Sequence, residues 1–422
     1  MSYNRAQARP DWVRRINYMG DSVGGAQHLV SLDPEEMIAV AQQSTGLSDF
    51  ADDWDDDPAE GWRIAFGKLI ESYETEGQLT TLGRLATRQE MIRTLRTRLL
   101  LVNEHRLRPE LASIDIEKPV FIVGQSRTGT TIIHELMALN EHMRAPLAWE
   151  SIHPIDWSRY DASNGGAGGL AMAECEQEFF EDVVPEFAAV HELRAMLPME
   201  CLLMMALQFS GGWAATTANV DGFLAWRAGT SSLPSYKMHK RFLQLLQSEK
   251  NSQQWLLKSP AHLMELPSLF EVYPDARIVH THRDPLKTIP STISTVATSR
   301  YARCDDIALE TLAFAIPIGF EMALQSGMTL RGQGALPLSQ IADVRYQDFI
   351  RAPVETLTGA FEQLDIAIDR SLKDKMQAYL DNKPQGKFGQ HRYSLEEFGL
   401  SKEDITSQFS AYRDYYDIEQ DI

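Results

Sequence analysis

The amino-acid sequence predicts an α/β fold, a P-loop-type parallel β-sheet flanked by helices, with a helical N-terminal extension and a helical cap insertion. Short apolar runs alternate with stretches of helical periodicity from Lys118 onward, and a glycine-containing turn follows the first run. The segment before that run has helical periodicity alone, for example over 79–101. We therefore expect a helical extension over residues 1–115 and an α/β domain over residues 116–422, with the insertion at about 151–252.

The composition is that of an acidic globular protein. Hydrophobic residues make up 44% of the 422 residues, enough to bury one large core or two of medium size. The 40 basic against 59 acidic residues give a formal charge of -19, which argues against nucleic acid and anionic membrane surfaces as partners. Cys175, Cys201 and Cys304 are widely spaced and form no CxxC pair, so neither a disulfide framework nor a zinc site is expected.

The sequence shows no leader and no membrane-spanning segment. Residues 1–25 contain arginines but no apolar core, and no apolar run approaches the ~20 residues that a spanning helix needs. Together with the cysteine pattern, this predicts a cytoplasmic protein without stable membrane insertion. Whether the chain forms a homo-oligomer is left open.

The glycine-containing turn is a predicted anion site. It consists of Gly124-Gln-Ser-Arg-Thr-Gly129-Thr130-Thr131 and joins the apolar run 119–123 to a segment with apolar residues at helical spacing. The first N–H groups of a helix lack partners within the helix, and glycines let them approach a phosphate closely. Nucleotide phosphotransferases have a lysine at the position of Thr130, and that lysine reaches the β- and γ-phosphates. Arg127 is the nearest cation here, so the oxyanion geometry should differ from that of an ATPase.

Three cations stand at the ends of predicted strands. Arg127 follows the first strand, Lys258 ends the second, and Arg283 follows the third. Because the carboxyl ends of parallel strands meet at one edge of a sheet, these side chains should converge there. Ser291 lies on the helix after Arg283, where guanidinium and hydroxyl can hold one phosphate. On an acidic chain this cluster predicts a polyanionic small ligand. The predicted strands are 119–123, Gln254–Lys258, 276–281 and 341–344.

Taken in order, these motifs resemble a known family. The loop 124–131, the turn 257–260, and Arg283 with Pro285 and Ser291 are similar to those of sulfotransferases that use 3′-phosphoadenosine 5′-phosphosulfate (PAPS), in the bacterial and tyrosylprotein-sulfotransferase-like branch. The resemblance covers about residues 119–393 and includes Tyr346-Gln-Asp-Phe349 and Lys387-Phe388-Gly389 in the expected order.

The resemblance implies specific roles. Lys258 and Arg127 would stabilise charge on the transferring sulfuryl group, with no metal taking part. The 3′-phosphate of the donor would be held by Arg283 and Ser291. The other expected donor contacts are Arg127, Thr128, Gly129, Thr130 and Thr131 on the 5′-phosphosulfate, Tyr346 at the adenosine, and Lys387 and Gly389 on a closing loop.

A hydroxyl acceptor also needs a base close to its oxygen. Glu150 stands in the region where the tyrosylprotein branch has a carboxylate, and His191 and His134 are the alternatives. His134 has apolar helical neighbours, which favours packing on the sheet. Glu150 is also explained by a structural ion pair with an arginine such as Arg144.

The insertion is predicted to form a cap that binds the acceptor. It contains a glycine-rich run at 165–169 and a helical stretch rich in methionine, although each methionine taken by itself is more typical of a plain core. Tryptophan and methionine side chains in this region favour an apolar or aromatic alcohol. The sequence therefore predicts transfer of a sulfuryl group from PAPS to a hydroxyl of a small acceptor. The other product would be 3′-phosphoadenosine 5′-phosphate, also called adenosine 3′,5′-bisphosphate. The alternatives are a P-loop kinase-like phosphotransferase and a catalytically silent nucleotide-binding module.

Overall fold

The computed structural model describes residues 9–155, 168–190, 192–249, 253–382 and 393–420. Within these residues the centre of the fold is a five-stranded sheet in which every neighbouring pair is parallel. The strands are β1 (Val120–Gly124), β2 (Met143–Arg144), β3 (Gln254–Lys258), β4 (Arg277–His282) and β5 (Ile341–Arg345). Their order is β2-β3-β1-β4-β5, so the chain passes from β1 to one side and then to the other. Ligands of such sheets bind at the carboxyl end of the strand where this switch occurs.

Helices cover both faces of the sheet, as predicted. β1 is buried at all five positions because its side chains alternate between two cores. Phe121 and Val123 pack in the core that includes α-helical residues 236–246, whereas Val120 and Ile122 pack with Ile133 on the opposite face. The strands predicted from apolar runs are all present. β2 was not predicted, since two residues are too few to show a period.

The helical N-terminal segment is built from four α-helices. They share one hydrophobic core with the cap insertion, since buried Trp62 and Leu95 cluster with Phe209 and Phe223. The extension and the insertion therefore pack as one unit above the sheet, while the exact domain boundaries stay a prediction. The four helices are α1 (Asp11–Asp21), α2 (Pro34–Thr45), α3 (Trp62–Thr75) and α4 (Thr81–Leu107).

The remaining helices follow the strands or build the insertion. Met204 and Met205 of the insertion are fully buried core residues, while Met196 is exposed, so the methionine series does not form one surface. The α-helices are α5 (Thr130–Met137), α6 (Ala148–Ile152), α7 (Gly169–Val183), α8 (Leu202–Met205), α9 (Ala214–Thr217), α10 (Asp221–Arg227), α11 (Leu233–Glu249), α12 (Leu266–Val272), α13 (Pro285–Tyr301), α14 (Leu309–Gly332), α15 (Tyr346–Arg351), α16 (Pro353–Gln363), α17 (Leu372–Asn382), α18 (Lys402–Gln408) and α19 (Ser410–Tyr416).

Short 3-10 helices occur between these elements. They are Ala26–His28, Asp52–Trp54, Pro58–Glu60, Pro109–Ser113, Pro185–Ala189, Ala206–Gln208, Pro260–Met264, Leu338–Gln340 and Glu396–Phe398. Across the part of the chain that the structure describes, no helix has both the length and the apolar character needed to cross a bilayer.

Candidate active site

The turn between β1 and α5 is held in a conformation that only particular residues tolerate. Gly124 and Gly129 have φ of 153° and 89°, in the left-handed region that favours glycine. A Cβ on Gly124 would lie 2.6 Å from the carbonyl oxygen of Thr281, so β4 leaves no space for a side chain. Thr128 Oγ1 lies 2.7 Å from the carbonyl oxygen of Gln125 and 2.6 Å from Thr281 Oγ1. The Thr128 hydroxyl thus stabilises the conformation of the loop. The first N–H groups of α5 lack partners within the helix and can bind an anion.

Arg127 is a partly buried cation inside this loop. Its Nε donates to Ser291 Oγ at 3.0 Å, and its Nη1 donates to the carbonyl oxygen of Val190 at 3.3 Å. Burial lowers the pKa of the Arg127 guanidinium, and the neighbouring Arg283 lowers it further. Among the described residues no carboxylate lies within 4.0 Å of the Arg127 nitrogens. A buried charge without a carboxylate is costly, so this arrangement favours an anionic ligand.

Arg283 joins the loop to β5. Its Nη1 donates to the carbonyl oxygen of Arg127 at 3.1 Å, and its guanidinium carbon lies 3.9 Å from the centre of the Tyr346 ring. The same ring stands beside Gly129, 3.0 Å from where a Cβ on that glycine would be. The structure therefore brings together Arg127, Arg283, Ser291 and Tyr346, although they lie on four different segments. For Arg127 and Arg283, this convergence at the carboxyl edge of the sheet is what the strand-end argument predicts.

Lys258 reaches the same edge from β3, the neighbour of β1. Its side chain is 2% exposed, and its ammonium group is hydrogen-bonded to Glu200. The backbone explains the contact, because Cys201 N donates to the carbonyl oxygen of Lys258 at 2.9 Å and so pins the insertion to the end of β3. Glu200 is a functional candidate that sequence reasoning missed. Its only sequence signal is that it is an isolated carboxylate in the apolar run 195–207.

Glu150 has a different environment. It lies in the first turn of α6 and is buried. Arg144 Nη2 donates to its Oε1 at 2.9 Å, and the backbone N–H of Leu147 donates to its Oε2 at 3.0 Å. The ion pair with Arg144, which the sequence offered as the structural alternative, is present. Both carboxylate oxygens thus serve the local fold.

Of the remaining predicted site residues, His134 lies within the described part of the chain. His134 is buried on α5, and burial, with a smaller contribution from Lys258, lowers its pKa to about 3. The imidazole is therefore neutral and shielded from solvent. His191, Lys387 and Gly389 lie outside the described residues.

One group of potential metal ligands occurs within the described residues, on β4 and β5. His280, His282 and Asp343 have ligand atoms within 4.8 Å of one another. Arg331 donates to both carboxylate oxygens of Asp343, at 2.8 and 2.6 Å, and its Nη2 lies 3.1 Å from His280 Nδ1. A guanidinium already supplies the positive charge here, which is typical of a structural cluster.

A parallel sheet whose carboxyl edge gathers a glycine loop, two arginines and a lysine defines an α/β protein with a candidate site for an anionic ligand. Residues 119–370 of the chain match the family model described as the Sulfotransferase family. The chain belongs to this family, which confirms the resemblance inferred from the ordered motifs. The predicted fold class is confirmed as well.

Known relatives support the same conclusion. Omega-hydroxy-beta-dihydromenaquinone-9 sulfotransferase Stf3 of Mycobacterium bovis is 22% identical over 306 residues, covering 68% of this chain and 73% of that protein. The structure of sulfotransferase STF9 from Mycobacterium avium superposes with a TM-score of 0.78 at 25% identity, covering 92% of this chain and 97% of that one. Sulfotransferase STF1 from Mycobacterium tuberculosis H37Rv has the same fold, with a TM-score of 0.75 at 24% identity, covering 90% of this chain and 98% of that one.

Proposed function

We propose that this sulfotransferase moves a sulfuryl group from PAPS to a hydroxyl of a small apolar or aromatic acceptor. One observation carries the proposal: Arg127, Arg283, Ser291 and Tyr346 converge on the glycine loop at the carboxyl edge of the sheet. PAPS carries two anionic groups on one adenosine, and the site offers two cations, Arg127 and Arg283, beside the glycine loop. The N–H groups after Gly129 serve the 5′-phosphosulfate, and Arg283 with Ser291 serves the 3′-phosphate.

The adenosine of the donor is assigned to Tyr346. The Tyr346 ring stands between Gly129 and Arg283, so a base or ribose placed there contacts both anion sites at once. Thr130 and Thr131 open α5, and their hydroxyl and N–H groups are donors for the phosphosulfate. PAPS has no γ-phosphate, so a lysine that reaches one would have no role in binding it. This accounts for Thr130 at the position where the P-loop motif has lysine.

The reaction needs charge stabilisation and proton removal. As the acceptor oxygen bonds to sulfur, the bond between sulfur and the 5′-phosphate oxygen breaks, and the phosphate keeps the electron pair. Lys258 and Arg127 stabilise that developing charge, since preorganised cations in a buried site act more strongly than in water. The hydroxyl proton passes to a carboxylate. Glu200, held against Lys258, is our candidate, and Glu150 is the competing prediction.

The acceptor class follows from the surroundings and from one relative. The relative Stf3 is named for a reaction on omega-hydroxy-beta-dihydromenaquinone-9, a hydroxylated lipid-like compound. In this chain, Met199, the residue before Glu200, and Leu203 line an apolar cavity. An alcohol whose hydroxyl approaches Glu200 from that cavity does so along an apolar wall, which favours an apolar body.

The donor assignment is tested by ligand-dependent thermal stability. A ligand that binds only the native state raises the apparent stability according to its affinity. We expect adenosine 3′,5′-bisphosphate, without magnesium, to raise the melting temperature clearly more than ATP at the same concentration. Equal or stronger stabilisation by magnesium-ATP would indicate the kinase-like alternative. Transfer of radiolabelled sulfuryl from PAPS to a test alcohol then separates an enzyme from a silent nucleotide-binding module.

A further inference from the structure

A cavity of about 470 Å³ lies where the N-terminal extension meets the cap insertion. Its walls come mainly from α4, α7, the 3-10 helix Pro185–Ala189 and the segment 193–203. The volume falls within the roughly 300–1,000 Å³ typical of sites that enclose a small molecule. Among the described residues, none of those assigned to the donor lines this cavity. It is therefore a compartment distinct from the donor site.

The cavity wall is largely apolar because its polar side chains are paired with one another. Trp213 Nε1 donates to Glu90 Oε1 at 2.9 Å, and Arg303 is hydrogen-bonded to the other oxygen of Glu90. Arg93 and Glu176 form a second pair across the wall. Gln177, another lining residue, is 8% exposed, and its Oε1 has no hydrogen-bond partner among the described residues. The cavity thus suits an apolar molecule that carries one or two hydrogen-bond donors.

Two connections place this cavity next to the reaction. Met199 lines the cavity, and the next residue is Glu200, which is hydrogen-bonded to Lys258. On the other side, Val190 accepts from Arg127 and packs in one cluster with the cavity-lining residue Phe187. The cavity is therefore connected to Glu200, the proposed base, through its sequence neighbour Met199. It is connected to Arg127 through Val190.

The opposite end of the cavity is open and apolar. Leu85 and Phe179 line it and remain 50% and 42% exposed, so two large apolar side chains meet solvent at the rim of the cavity. On α4 the lining residues extend from Leu82 to Arg93, a length of about 16 Å at 1.5 Å per residue. The cavity can therefore hold an elongated molecule, with one end near Met199 and the other end near Leu85 and Phe179.

We propose that this cavity binds the apolar body of the acceptor, an elongated alcohol, and presents its hydroxyl to Lys258 and Glu200. The inference rests on the proposed sulfuryl transfer and goes beyond it by assigning the acceptor site and the acceptor's shape. Ala86 lines the cavity on α4, and Ala86→Phe would fill the lumen. Ala378 is exposed on α17, so Ala378→Phe is the matched control with the same change in size.

The test uses 1-decanol as the probe and the thiol of Cys175 as the reporter. Cys175 is exposed and lines the cavity, whereas Cys201 and Cys304 are buried. We expect 1-decanol to slow modification of Cys175 by a thiol reagent in the unmodified chain and in Ala378→Phe. In Ala86→Phe the 1-decanol concentration needed for half protection should rise at least ~10-fold.

Adenosine 3′,5′-bisphosphate keeps the two proposals apart. If it stabilises the unmodified chain while 1-decanol leaves Cys175 reactivity unchanged, the donor assignment stands and the cavity assignment is wrong. The cavity assignment is equally wrong if 1-decanol protects Cys175 in Ala86→Phe as well as in the control. Protection of Cys175 by 1-decanol is measured first in the unmodified chain, so a negative result there refutes the cavity assignment even if Ala86→Phe fails to fold. Absence of stabilisation by the bisphosphate refutes the donor assignment instead.

Discussion

Lys258 and Glu200 form a hydrogen-bonded ion pair at the carboxyl end of β3, although 58 residues separate them in the sequence. The ammonium group is almost fully buried, whereas the Glu200 side chain keeps 24% of its surface exposed. The carboxylate therefore neutralises the lysine, and its side chain stays partly exposed to solvent. In the proposed reaction, the phosphosulfate replaces the carboxylate as the partner of Lys258, and Glu200 is left free to accept the hydroxyl proton.

Replacing Lys258 tests its role at the transferring group. We expect Lys258→Ala to lower kcat by ~100-fold or more, as loss of an oxyanion donor does, with a smaller effect on binding of adenosine 3′,5′-bisphosphate. Steady-state transfer of labelled sulfuryl gives kcat, and thermal stabilisation gives binding. Lys402 is exposed at the start of α18, so Lys402→Ala controls for the loss of one positive charge. Near-normal turnover in Lys258→Ala would refute the role.

The base is decided by comparing two substitutions of equal size. Glu200→Gln keeps a hydrogen-bond acceptor for Lys258 but removes the proton acceptor, so kcat should fall by ~100-fold or more. Glu150→Gln removes the charge that Arg144 neutralises, and breaking a buried pair can cost about 3 kcal/mol. We therefore expect Glu150→Gln to lower the free energy of unfolding, measured in urea, while the folded fraction keeps its kcat. The reverse pattern would assign the base to Glu150.

The 3′-phosphate contact is tested at Ser291. Because a hydrogen bond to a charged group contributes about 1.5–3 kcal/mol, Ser291→Ala should weaken binding of adenosine 3′,5′-bisphosphate by ~10-fold or more. Adenosine 5′-monophosphate lacks the 3′-phosphate, so its binding should weaken less, through loss of the Arg127–Ser291 hydrogen bond alone. Calorimetric titration of both nucleotides measures the difference.

Thr295 provides a matched control for Ser291 on the same helix. It lies one turn further along α13, and its hydroxyl donates to the Ser291 carbonyl oxygen at 2.8 Å. Thr295→Ala therefore alters the helix locally without removing the proposed phosphate ligand. If both variants bind the two nucleotides alike, Ser291 does not contact the 3′-phosphate.

The proposed donor-binding part of the site, around the loop 124–131, can be predicted from the sequence because it depends on short-range sequence patterns. The loop 124–131 depends on two glycines between a strand and a helix, and Arg127 and Arg283 follow directly from strand ends. Ser291 is expected near Arg283 because it lies on the helix after the same strand, whereas the role of Tyr346 is implied only by the family resemblance. Short-range periodicity and one rule about sheet edges therefore account for the cations and the loop but not for Tyr346.

The acceptor half depends on packing that no short-range pattern records. Glu200 reaches Lys258 only because the insertion is hydrogen-bonded to the end of β3 through Cys201. The cavity likewise forms between α4 and α7, whose sequences show amphipathic helices but not which helix covers which. Glu150 shows the same limit, since a carboxylate at a plausible position is engaged by Arg144 in the folded chain.

Several buried histidines give the fold a pH dependence that is independent of catalysis. Burial lowers the pKa of His239 to about 3, and burial also lowers the pKa of His262, His280 and His282. His239 Nδ1 is 2.8 Å from the hydroxyl oxygen of Tyr273, a contact that a neutral ring can make without charge compensation. The folded chain thus keeps these rings neutral at pH values where an unfolded histidine is protonated.

The free energy of unfolding should therefore fall as the pH drops below about 6.5, because the unfolded chain then binds more protons than the folded one. Each such histidine contributes up to about 1.4 kcal/mol per pH unit. Urea unfolding between about pH 7.5 and about pH 5 measures the slope. His239→Asn should be less stable at the upper end and show a shallower slope, whereas His28→Asn, at an exposed position, should match the unmodified chain. Parallel slopes for all three proteins would show that His239 is not held neutral by the fold.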